Sequence, residues 1–159
     1  MQPQIRSGAL FAAVLFSLFV TGPAVADYVK PNIQHAPFGE VKVVVPITSG
    51  DAAVWKFRLR NLANGAQVTT ESGGVVQSKV VLYGAGVKML AQPMDPELKT
   101  VIDAARAVGV QINVCNFSLK GMNQDWHELY GVKESDVVPS GFAEVSWLGN
   151  HGWAVNPAN

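Results

Sequence analysis

One cysteine, Cys115, stands among the 159 residues, so no disulfide can close within the chain and the fold rests on its apolar core. Neither sign of charge predominates: twelve Lys and Arg face twelve Asp and Glu, and losing Arg6 with an N-terminal leader leaves the chain close to neutral. The densest basic group, Lys56, Arg58 and Arg60, diverges around a helix at spacing two and forms no stripe. Both features argue against nucleic acid as a partner. No apolar run reaches the roughly 20 residues of a membrane-spanning helix, Ala9 to Val20 being the longest candidate. The three histidines, His35, His127 and His151, have no short metal spacing with one another or with Cys115, so neither metal nor cofactor is expected. Gly84-Ala85-Gly86 opens like a dinucleotide loop, but Met89 occupies the place of the third glycine. Repeats and low-complexity segments are absent from the sequence.

What is present begins with a leader. Arg6, the apolar run and the small-x-small signature Ala24-Val25-Ala26 make up the three parts of a secretory signal peptide over residues 1–26. Cleavage would start the mature protein at Asp27 and direct it to export, into the periplasm, with no membrane partner afterwards. Residues 27–40, with Pro31, Pro37 and Gly39, predict an extended N-terminal arm. Residues 41–159 are of a length that suits one domain with its own core.

Within that domain the pattern alternates. Val41 to Thr48 is rich in β-branched residues and predicts a strand, followed by a helix capped by Asp51, with Trp55, Leu59 and Leu62 on one face and Asn64-Gly65 as its stop. Residues 66–74 are expected to be a polar connection, and the next strand is centred on Lys79 to Tyr83. Asp95-Pro96-Glu97 joins a capping carboxylate, a proline at the first helical position and an acidic residue for the helix dipole, ahead of the apolar positions Leu98, Val101, Ile102 and Ala105. Val110, Ile112 and Val114 then alternate with polar residues as a third strand leading into Cys115. A short helix or turn over Ser118 to Trp126, a strand at Val137-Val138, a helix from Ser140 to Leu148 and a last strand at Trp153 to Val155 complete the order. Strands alternating with helices predict a Rossmann-like three-layer α/β sandwich with a mostly parallel sheet of about five strands.

Sheets of this kind carry their reactive groups outside the carboxyl ends of the strands, which is where Cys115 falls. Two readings of it stand side by side: a small hydrophobe filling the core, or a nucleophile whose thiol pKa is lowered by Lys120 and by the backbone N–H groups after the strand. Asn116-Phe117-Ser118 has glycosylation spacing, although at a strand end. A Cys–His couple would need His127 or His151 within hydrogen-bond reach of the sulfur. The tryptophans Trp126, Trp147 and Trp153, with Phe142, belong either to the core or to an interface.

"VVVPITSGDAAVWKFRLRNLAN", "KVVLYGAGVKML", "VQINVCNFSLKG" and "VVPSGFAEVSWLGNHGWAVNPA" together resemble the DsrE/DsrF-like (DsrEFH-like) family of small sulfur-relay proteins, in a single-domain exported form. The most specific parts are Cys115 followed by Lys120, and Val137 to Gly141 ahead of the last helix. The resemblance implies that Cys115 is the catalytic residue and carries sulfur as a persulfide, with Asn116 and Lys120 in support. It also implies a homotrimer or homohexamer, and sulfur donor and acceptor proteins or small thiols as partners. Relay members act in the cytoplasm and many place glycine after the cysteine, whereas this chain has an export leader and Asn116. The competing class is a non-catalytic oligomeric binding or assembly module that keeps the fold.

Overall fold

The computed structural model describes residues 37–157. The leader over residues 1–26, residues 27–36 of the arm, His35 and the last two residues lie outside the described residues. Five strands, β1 (Glu40–Ile47), β2 (Val75–Leu82), β3 (Gln111–Cys115), β4 (Val137–Val138) and β5 (Ala154–Val155), form one sheet in the order β4-β3-β2-β1-β5. Every pairing is parallel, so the mostly parallel sheet expected of the sequence is parallel throughout. The domain starts one residue before the expected boundary, because Glu40 is already paired with Val75.

Among the described residues four α-helices, α1 (Ala52–Glu71), α2 (Pro96–Ala107), α3 (Asn116–Met122) and α4 (Gly141–Asn150), connect the strands. Alternate residues of each strand face opposite layers, and the two layers differ in thickness. On one face Val45, Ile47, Val80, Leu82, Ile112 and Val114 pack with Trp55, Leu59 and Leu62 of α1 and with Leu98, Ile102 and Ala105 of α2. Each of the valine, leucine and isoleucine side chains, once buried, contributes about 1.5–3 kcal/mol. On the other face Val44, Val81 and Val138 meet Leu148 of α4, with Tyr83, Val145 and Trp153 half-buried around them. That second layer is a single short helix.

The capping carboxylates act as their positions predict. Asp51 accepts the N–H of Ala53 and Asp95 that of Leu98, each at 2.8 Å, closing the first turns of α1 and α2. The expected stop at Asn64-Gly65 is wrong. α1 runs on to Glu71, and Gly65 sits in its interior. Ala66 and Thr69 continue the buried face begun by Trp55, Leu59 and Leu62, so packing against the sheet offsets the roughly 1 kcal/mol that an interior glycine costs. The true stop is Gly73, at φ +77°, followed by Gly74, where a Cβ would lie 2.8 Å from the carbonyl oxygen of Gly39. Two thirds of the connection expected over residues 66–74, residues 66–71, is therefore helix.

Candidate functional site: Cys115 between two helix ends

β3 delivers Cys115 to the carboxyl end of the sheet, paired with Val138 of β4. α3 begins at the next residue, and the sulfur caps it: Sγ accepts the N–H of Ser118 at 3.4 Å. A thiol is a weak acceptor, so this cap gains strength as the thiolate forms. The order β3-β4 then brings the N-terminus of α4 to the same place, and the N–H of Gly141 is also directed at the sulfur. The α3 and α4 termini thus converge on one atom.

Ser118 also acts through its side chain. Its hydroxyl oxygen accepts the N–H of Gly84 at 2.8 Å, which leaves the hydroxyl hydrogen to donate to Sγ. Burial pushes the Cys115 thiol pKa up. The Ser118 hydroxyl and the N–H groups of Gly141, Ser118 and Phe117 push it down, and together they prevail, so the thiol lies below its ordinary value. Gly141 is required for the approach: a Cβ there would lie 2.8 Å from the Tyr83 ring and its Cβ. Gly86 serves the neighbouring turn, which runs as a 3-10 helix from Gly84 to Leu90, because a Cβ at Gly86 would collide with the carbonyl oxygen of Ile47. Gly84 to Gly86 therefore build the floor of the site and turn the chain.

A nucleophile that meets its partners directly would be exposed, whereas Cys115 is only 4% exposed. The cause is the cap itself, which draws the sulfur under the first turns of α3 and α4. Asn116 is half-buried as the first residue of α3. Lys120 is exposed on the same helix and lines a neighbouring surface cleft with Asn116, Leu119, Asn123, Gln124 and Asp125. Neither described histidine bonds Cys115. His127 pairs with Asp125 at 2.7 Å and stacks on Trp126, while His151 bonds the carbonyl of Trp147 and stacks on its ring. Trp126 and Trp153 pack against the core, whereas Trp147 is exposed. Phe117 and Phe142, the second residues of α3 and α4, are 77% and 72% exposed.

Sequence reasoning passed over Ser118 and Gly141. The signal for Ser118 was its place three residues after Cys115, the spacing of an N-cap and its N3 partner. The signal for Gly141 was a glycine directly after Pro139-Ser140 at a helix start. Ser140 caps α4 by accepting the N–H of Ala143.

No protein-family model and no curated protein matches this chain. Among solved structures it is similar to a protein of unknown function from Methanobacterium thermoautotrophicum, with a TM-score of 0.63 and 23% identity, over 74% of this chain and 98% of that one. At that identity the likeness establishes the Rossmann-like α/β fold and nothing about activity.

Proposed function

We propose that this protein is an exported sulfur carrier of the DsrE/DsrF-like kind, working through Cys115. The observation that carries the reading is the Ser118 N–H bonded to Sγ at 3.4 Å at the start of α3, with the Ser118 hydroxyl and the N–H groups of Gly141 and Phe117 also favouring the thiolate. A cysteine kept only for packing has no need of them. In the first step the Cys115 thiolate attacks the outer sulfur of a donor persulfide; the new S–S bond forms as the donor's S–S bond breaks, and the donor leaves as a thiolate. In the second step an acceptor thiolate takes that outer sulfur and returns Cys115 to its thiolate. No electrons are gained or lost overall. With one cysteine in the chain, a partner must supply the acceptor thiol.

Phe117 and Phe142, one in each converging turn, are exposed and supply the apolar surface that a docking protein thiol meets first. Assembly into a trimer or hexamer and release into the periplasm belong to the same reading. One observation favours the alternative of a non-catalytic assembly module: the sulfur is buried while Phe117, Phe142 and Trp147 are exposed.

Incubation with a persulfide donor followed by intact-mass measurement separates the two. The carrier gains about 32 mass units, the mass of the single sulfur atom transferred in thiol–persulfide exchange, and Cys115→Ser gains none. A thiol that stays unmodified and resists iodoacetamide in the native protein leaves the assembly module standing.

A further inference from the structure

A second site lies on the other side of the sheet's length. A cavity of about 210 Å³ sits between α1 and the amino-terminal halves of β1 and β2, away from the carboxyl ends that hold Cys115. Val43, Val45 and Val76 of the sheet and Leu62 and Ala66 of α1 give it apolar walls. Two buried polar atoms of lining residues have no hydrogen-bond partner: Oγ of Ser78, a residue 5% exposed, and Nε of Arg58. Buried donors in native cores are paired, because leaving one unpaired forfeits its hydration with no return. Arg58 also makes no ion pair among the described residues; its guanidinium lies over the Phe57 ring at 5.7 Å. Gly65 keeps the space open, since a Cβ there would meet nothing within 4 Å.

We propose that this cavity binds a small organic carboxylate with a compact apolar body. The carboxylate accepts from Arg58 Nε and from the Ser78 hydroxyl, and the hydrocarbon lies against the valines and Leu62. An amine would face the guanidinium with like charge, and a neutral amide would leave that charge unmatched. Size narrows the class: an apolar cavity of about 150 Å³ takes benzene, so this one suits roughly eight to ten non-hydrogen atoms. Benzoate and hexanoate fall in that range. The site is independent of the sulfur chemistry, so Cys115→Ser leaves binding unchanged.

The test titrates the full chain with benzoate, using benzamide and benzylamine as controls, by calorimetry and by amide chemical shifts of labelled protein. Saturable benzoate binding is expected, with shifts centred on Val43, Gly65 and Ser78 and at least roughly tenfold weaker binding of both controls. Arg58→Gln should weaken benzoate about 10- to 100-fold and leave benzamide where it was. Gly65→Leu, which fills the open space from inside a helix, should abolish binding of all three. Benzoate that fails to bind below about 10 mM, benzamide that binds as well as benzoate, or binding undiminished in Gly65→Leu would each overturn the proposal. The first of these is also what a cavity occupied only by water, or by a second copy of the chain, would produce.

Discussion

The backbone N–H of Gly84, just past the end of β2, donates to the hydroxyl of Ser118 on α3 at 2.8 Å. That bond ties the floor of the site to α3 and turns the hydroxyl hydrogen toward Cys115. Ser118→Ala removes this donor while Gly84, which is exposed, finds water instead. The thiol pKa is expected to rise, and the rate of alkylation at pH 7 to fall roughly three- to tenfold, since one unit of pKa is a tenfold change in thiolate. The pH profile of iodoacetamide labelling measures it; an unmoved midpoint would mean that the hydroxyl has no hold on the sulfur.

Cys115→Ser should abolish sulfur uptake and still fold. Serine is a better N-cap than cysteine, and the N–H groups of Ser118 and Gly141 supply its hydroxyl with donors, so the loss should stay within about 1 kcal/mol. The pH dependence has a definite sign. Because the native thiol pKa lies below the ordinary value, its contribution to stability is fully present above the ordinary thiol pKa of roughly 8.5 and is lost as pH falls through the native pKa. Denaturant titrations should therefore show the wild type gaining on Cys115→Ser between neutral pH and about pH 9. A constant difference across that range would contradict the lowered pKa.

Gly141→Ala places a methyl group against Tyr83 at 2.8 Å and forces the first turn of α4 away from the sulfur. A loss of about 1–3 kcal/mol is expected, together with a raised thiol pKa. Tyr83→Gly in the same chain removes the Cβ as well as the ring, makes room for the methyl group and should recover the low pKa even though it loses packing of its own. If the double variant keeps the raised pKa, the close approach of α4 is not what lowers it.

Gly65→Ala should stabilise the protein by about 0.5–1 kcal/mol, because Gly65 lies inside α1 at a negative φ, with nothing within 4 Å of the added Cβ. Thermal unfolding followed by circular dichroism measures the gain. A loss would place the end of the helix back at Asn64-Gly65.

The strands, the caps Asp51 and Asp95, the helix after Asp95-Pro96-Glu97 and the arrival of Cys115 at a strand's carboxyl end were all legible in the sequence. Each is written in a few neighbouring residues: β-branched alternation, a carboxylate before a helix, proline at its first position. What the sequence alone misjudged depended on distant partners. α1 passes through Gly65 because the sheet beneath it rewards Ala66 and Thr69 with burial, which no local signal records. Cys115 is buried, and its thiol pKa is lowered chiefly by Ser118 and then by Gly141, because the pairing of β3 with β4 sets the start of α4 against the start of α3. Propensity and capping act over one turn of chain, whereas the environment of a buried sulfur is decided by which helix ends the sheet order brings together.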